Sequence, residues 1–309
     1  MKSIDILLIL GLGLTASLWT GCEKLLEGVV HEIEFPEHEP ALAVTMICDE
    51  GAEEVKLMVS RTAGVLEEDG SPVLEEVWIE MTLDGAPWVS LDASNFDGTI
   101  HRIPMSSPID ISGQKVEVAV EAEGLERVTA HDIMPPPPAL NVTFEEAVEF
   151  IQDEWGGGMS VLHGIEVDIA GRDGVADWFI LTLESRAADP SWGDTTWYAE
   201  YINGPPDPRM QELNNGTNLV SDEGLGDGDI NGLTFYIEHY ASIEWEDIDR
   251  QYRVKVSAIS ESFARNLLSM NAYDMSEGNP FAEPVTVYSN VSSGFGILGM
   301  RNSTTFEIN

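Results

Sequence analysis

The chain has 309 residues, enough for two domains that each bury a core; with 43% hydrophobic and 23% charged residues its composition is globular and excludes a disordered acidic tail. Its 55 acidic side chains against 15 basic ones give a formal net charge of -40. Nucleic acid is thereby excluded as a partner, because that affinity rests on Lys and Arg displacing counterions from phosphates.

After Lys2 the apolar run Ile6 to Leu18 is too short to span a bilayer, which takes a helix of about 20 residues, and suits the core of a signal peptide. It ends at Leu18-Trp19-Thr20-Gly21-Cys22, which resembles the lipobox of bacterial lipoproteins, where the cysteine thiol carries a diacylglycerol. Residues 1–21 are thus expected to be the signal peptide. Cys22 becomes the lipid attachment that holds the protein on a membrane, and 22–40 forms a polar, acidic tether. Acylation of Cys22 leaves Cys48 without a disulfide partner. Cys48 falls in the alternating run Leu42, Val44, Met46, Cys48 and reads as a small buried hydrophobe.

From residue 41 the signals are those of strands. Leu42-Val44-Met46, Val55-Leu57-Val59, Val77-Ile79-Met81-Leu83 and Val116-Val118-Val120 each place apolar side chains at period two, with Lys56, Glu80, Glu117 and Glu121 on the opposite face. Asp84-Gly85, Asp97-Gly98 and Glu123-Gly124 supply turns, so 41–134 is expected to be an antiparallel β-sandwich domain of immunoglobulin-like or transthyretin-like type. Pro135-Pro136-Pro137-Pro138 removes four successive backbone donors and fits no sheet interior, so 135–138 is a linker and 139–309 a second, β-rich domain. Its strand signals are Ile165-Val167-Ile169, Trp178 to Leu183, Leu233-Phe235-Ile237, Tyr252 to Ala258, and Val285-Val287. Trp178 to Leu183 is apolar on both faces, as in a central strand. One helix is predicted, with Ser260 as N-cap, Phe263, Leu267, Leu268 and Met270 at helical spacing, and Gly278 and Pro280 ending it.

Three constellations bear on chemistry. Asp227-Gly228-Asp229-Ile230-Asn231-Gly232 followed by Glu238 satisfies an EF-hand pattern, and Asp227, Asp229 and Asn231 offer oxygens to calcium. Leu233 to Tyr240, however, alternates as a strand, which carries Glu238 about 20 Å past Gly232 at about 3.3 Å per residue, so an acidic turn is the competing reading. Gly294-Phe295-Gly296-Ile297-Leu298-Gly299 matches a dinucleotide fingerprint but has no following helix, and its glycines read as a bulge or tight bend near the last strand. All seven tyrosines lie in the second half, where Trp192, Trp197, Tyr198 and Tyr201 sit among Pro, Gly and Asp. These four are either core and loop anchors or a face that contacts a glycan or a protein. The six histidines have no metal-ligand spacing, there is no GxSxG elbow, and no residue set forms a catalytic site.

The stretch Asn279 to Met300, NPFAEPVTVYSNVSSGFGILGM, resembles the closing signature of a family of Bacteroidota lipoproteins, the domain of unknown function 4249. The cysteine at 22, the PALAV strand at Pro40 to Val44, the prolines after Met134, Ser221-Asp222-Glu223 ahead of Asn231-Gly232 and the helix from Ser260 fit the same order. The resemblance implies a lipid-anchored protein of the cell surface or outer membrane, often encoded beside TonB-dependent receptors, and assigns no reaction. The expected function is therefore a non-enzymatic binding or accessory component working with an outer-membrane transporter. A calcium-stabilised adhesive module and a hydrolase or glycan-binding protein are the alternatives.

Overall fold

The computed structural model describes residues 38–64, 74, 76–91, 100–152, 159–172, 176–188, 196–223, 228–241, 250–277, 281 and 283–308. The signal peptide, Cys22, most of the tether, the Asp97-Gly98 turn, Trp192 and Asp227 lie outside the described residues. Pro40–Asn309 forms one compact unit of the β-sandwich class.

Strand β1 (Leu42–Asp49) buries Leu42, Val44, Met46 and Cys48 on one face, and β2 (Glu54–Arg61) returns antiparallel with Val55, Leu57 and Val59 on that same face. The Cys48 thiol is pushed up to about 12, first by burial and then by Asp49 and Glu50, so it stays protonated and packs as a hydrophobe. Strand β3 (Val77–Leu83) turns at Asp84-Gly85 into β4 (Ala86–Leu91). Both turn residues have positive φ, 48° and 79°, as a two-residue hairpin requires. Strand β5 (Ile100–Pro104) pairs with β2, while β6 (Lys115–Ala122) and β7 (Val128–Ile133) complete a four-stranded sheet in the order β4-β3-β6-β7.

In the second half, β8 (Ala139–Gln152) and β9 (Met159–Ala170) form a long hairpin. Strand β10 (Trp178–Ala187) is bonded along both edges, by β11 (Tyr198–Glu200) and β13 (Asn218–Ser221) on one side and β15 (Arg250–Ile259) on the other, the central position its apolar run predicts. Strand β12 (Met210–Glu212) lies outside β13, and β14 (Ile230–Ala241) pairs with β9. Helix α1 (Glu261–Ser276) begins where expected. Its Ser260 cap accepts from Phe263 N at 3.4 Å, and the same Oγ accepts from Met300 N at 3.1 Å.

The last strand, β16 (Phe295–Ile308), joins the halves. It pairs antiparallel with β15 and parallel with β1, giving one nine-stranded sheet with the path β12-β13-β10-β15-β16-β1-β2-β5 and β11 beside β10. The four-stranded sheet backs the β1–β2 end over a core that includes Leu57, Ile79 and Met81, closed by Leu298 and Met300 of β16. The β14-β9-β8 sheet backs the other end over Ile165, Phe179, Leu181, Phe235 and Val254. Each such fully buried side chain contributes about 1.5–3 kcal/mol.

Pro135–Pro138 thus falls between two hydrophobic clusters, while the large sheet runs on across it. Asn302 Nδ2 donates to Pro135 O (3.0 Å) and the Thr304 hydroxyl to Pro138 O (2.8 Å), so β16 holds the linker by its carbonyls. Gly296, φ 111°, lies where β16 meets β1; a Cβ there would come within 1.9 Å of Val44 O, so the glycine serves a close strand approach.

One expected strand is not formed. Val285-Val287 joins no ladder, because the neighbouring backbone is satisfied by α1: Tyr288 N donates to Ser269 Oγ (2.8 Å), and Asn266 Nδ2 donates to Tyr288 O (2.8 Å). Two residues on, Asn290 bonds both the N–H and the C=O of Leu298 with its amide, standing in for a paired strand beside β16.

Candidate functional site

The second sandwich carries a polar and aromatic cluster built by period-two alternation. On β10, Phe179, Leu181, Leu183 and Ser185 face inward, which sends Glu184 and Arg186 to the outer face. On β15 the same alternation turns Val254 and Val256 in and Gln251 and Arg253 out. Register places Arg186 opposite Gln251 and Glu184 opposite Arg253, and both pairs are bonded: Arg186 Nε to Gln251 Oε1 at 2.8 Å, and Arg253 Nε to Glu184 Oε2.

Trp197 enters β11 beside these groups. Arg186 Cζ lies 4.4 Å and Arg253 Cζ 4.2 Å from its ring centroid. Each contact contributes about 0.5–1 kcal/mol at a site open to water, and two of the chain's 15 Lys and Arg residues, Arg186 and Arg253, meet here. Trp197 is therefore anchored to the sheet. Sequence reasoning missed the arginines that do this, although basic residues within strands of so acidic a chain were a usable signal.

Tyr198 and Tyr201, in contrast, stand 54% and 72% exposed. Tyr201 opens a cleft of about 180 Å³ whose walls include Glu200, Asn203, Tyr236, Glu238 and Tyr252. Its floor is fixed from both sides. Ile202 is buried in the second core, Tyr236 N donates to Asn203 O at 2.6 Å, and Gly204 passes so close to β14 that a Cβ would meet Thr234 O at 2.8 Å.

At the cleft's edge Arg250 Nη1 donates to Ser185 Oγ (2.9 Å) and Glu200 Oε1 (3.0 Å), and the Ser185 hydroxyl also bonds that carboxylate. Burial raises the Tyr252 phenol above its ordinary range; Arg250 opposes and Glu200 adds to the shift, so Tyr252 stays protonated at neutral pH. The cleft thus combines phenol faces with carboxylate acceptors, a surface suited to contact with polar partners.

The acidic turn is placed elsewhere. Asp229 Oδ1 accepts from Gly171 N (3.1 Å), Asn231 O accepts from Arg209 Nη1 (2.7 Å), and Gly232 N donates to Asp168 Oδ1 (2.8 Å). Glu238 lies along extended β14, beyond reach of the turn, as the alternation predicts. Among the described residues no three His, Cys, Asp or Glu side chains converge as a metal-ligand set, and no helix is long and apolar enough to cross a membrane.

No protein-family model and no curated protein matches the chain. Among solved structures it is similar to a Salmonella alpha-2-macroglobulin mutant, at 15% identity and TM-score 0.24 over 75% of this chain and 14% of that one. A Parabacteroides merdae beta-glucuronidase matches at 10% identity and TM-score 0.21 over 72% of this chain. The chain spans 14% and 23% of the lengths of these two proteins.

Proposed function

We propose that this protein is an exported lipoprotein of the outer membrane, anchored through Cys22, that works without catalysis as a binding component beside a TonB-dependent transporter. The anchor rests on the lipobox, and the transporter on the resemblance of Asn279 to Met300. The contact rests on one observation: Tyr198 and Tyr201 are exposed and Tyr201 opens a tyrosine-walled cleft, on a strand that Arg186 and Arg253 fix through Trp197 from its other face. Tyrosine supplies large amphipathic area at low entropic cost, and a rigidly held platform keeps that cost low. Anchoring on the same membrane raises the effective concentration of a tethered partner, so a modest interface suffices.

The test is crosslinking and purification from native membranes. Wild type is expected to capture a TonB-dependent transporter. Tyr198→Ala with Tyr201→Ala should lower capture about tenfold, the scale of losing an interface anchor, and Cys22→Ser should leave unprocessed, unacylated precursor. A transporter captured equally well by the double variant would move the contact elsewhere. Lipid label still incorporated by Cys22→Ser would remove the anchor assignment.

A further inference from the structure

The outer face of the first sandwich holds a second site, separate from the tyrosine cleft. In the β4-β3-β6-β7 sheet the inward positions are apolar, so the outward ones should be uniformly polar, as Glu80, Glu117 and Glu121 are. Trp78 breaks that rule. It stands 44% exposed on β3, an inner strand of this sheet, where no packing demand explains an indole.

Its surroundings form a defined hollow. Register sets Trp78 directly opposite Glu121 and Glu80 directly opposite Ala119, so four adjacent positions make a square with one small corner. Across such a pair the Cβ atoms are about 5 Å apart, and along a strand same-face positions lie about 7 Å apart. Ala119 leaves the floor low, and Trp78, Glu80, Glu121 and Arg127 wall a space of about 340 Å³, within the size range of small-molecule sites. Arg127 reaches both carboxylates, with Nη2 3.3 Å from Glu80 and Nη1 3.2 Å from Glu121. Ion pairs this exposed add little stability, and their effect is to fix two planar acceptors and a planar donor around one aromatic face.

We propose that this hollow binds a pyranose ring of an oligosaccharide. The C–H face of a pyranose carries partial positive charge and packs on the negative face of an indole. Its ring hydroxyls both donate and accept, matching Glu80, Glu121 and Arg127 at the rim. Other classes fit less well. Two carboxylates against one guanidinium disfavour a phosphate or an anionic sugar, Arg127 offsets the charge a cationic ligand would need, and the polar rim would lose hydrogen bonds to an apolar segment.

The test uses the purified full-length chain with cellohexaose, maltohexaose, xylohexaose and chitotetraose, and with choline and glucose 6-phosphate as comparators, read by saturation-transfer NMR and calorimetry. At least one oligosaccharide should bind with Kd at or below about 1 mM, its ring protons receiving saturation. Trp78→Ala should weaken it at least about tenfold, Trp78→Phe should retain part of the affinity, Arg127→Ala should weaken it, and Lys56→Ala on the opposite sheet should leave it unchanged. Circular dichroism and melting curves identify any variant that has lost the fold, and the Phe variant keeps the test open if the Ala variant has. Binding by none of the four, preferential binding of choline or glucose 6-phosphate, or affinity indifferent to Trp78 overturns the assignment. The outcome is independent of the transporter contact, because Tyr198 and Tyr201 lie in the other sandwich and are unaltered in these variants.

Discussion

Asp132 shows how one side chain can work against the fold that holds it. It sits near the end of β7, and burial raises its pKa; the Ser260 hydroxyl, the Ile133 amide and His131 pull the value down, and Glu261 pushes it further up. Because the folded state holds this proton more tightly than the unfolded chain does, the ionised carboxylate destabilises the protein at neutral pH. That penalty fades as pH falls through the folded pKa toward the ordinary carboxylate value. Asp132→Asn keeps an oxygen for the Ile133 N–H, 2.9 Å away, and removes the charge. Its melting midpoint at pH 7 should exceed that of wild type by about 2–3 °C, corresponding to about 1 kcal/mol in a chain of this size, and the two should converge toward pH 4. An equal or lower midpoint at pH 7 would mean that burial of the charge costs nothing here. The contrast with Cys48 is instructive: both are strand residues raised by burial, but the thiol is neutral at physiological pH and loses nothing by it.

Among the elements, α1 and β16 depend on each other through Ser260. Its Oγ caps the helix by a 3.4 Å bond to Phe263 N and takes Met300 N of β16 at 3.1 Å, the shorter and stronger of the two. Ser260→Ala loses the cap and strands a buried N–H, so unfolding in urea should show a loss of about 2 kcal/mol, with most of it recovered by Ser260→Thr. A loss under about 0.5 kcal/mol would show that Met300 finds another partner. The start of this helix was legible because a cap and a helical period are local signals, and so were the faces of β1, β2, β3, β6, β9, β14 and β15, where apolar residues alternate; β10, apolar on both faces, showed its central place but not which face turns inward. What the sequence hid was partnership. Nothing in Phe295–Ile308 announces a parallel neighbour some 250 residues upstream, because period two reveals a strand's faces and not who lies at its edges. Val285-Val287 misled for the same reason: an apolar alternation reads like a strand even where the adjoining backbone, at Tyr288, is held by helix side chains and not by a ladder. At the candidate site Tyr198 and Tyr201 were legible by composition, whereas the arginines over Trp197 came together only through the register of β10 on β15. Trp78 lay unnoticed in a strand whose inward residues, Val77, Ile79 and Met81, were the stronger signal.

At the scale of the whole molecule, one sheet shared by two sandwiches must fold under a large self-repulsion. With 55 acidic and 15 basic residues, one-to-one pairing would still leave 55 - 15 = 40 carboxylates without a cation. Several of the ion pairs, such as Arg102 with Glu54 and Arg127 with Glu121, are largely exposed and each of these is worth about 0–1 kcal/mol, whereas Arg209 with Asp207 and Arg253 with Glu184 are more enclosed. Salt screens both kinds of interaction: it weakens a few short attractions slightly, and it suppresses a repulsion summed over many more charges at longer range. The Debye length falls from about 10 Å at 0.1 M to about 3 Å at 1 M, so same-face neighbours about 7 Å apart on a strand are coupled at the lower concentration and largely screened at the higher. Repulsion should therefore lose more than attraction, and the folded state should gain. The melting midpoint is expected to rise by at least about 5 °C between 0.1 and 1 M NaCl, and by the same amount in KCl, since screening depends on ionic strength and not on which monovalent cation supplies it. A midpoint that is flat or falls with salt would show that the carboxylates are spread widely enough for water alone to separate them. A rise in NaCl without one in KCl would replace screening by specific cation binding.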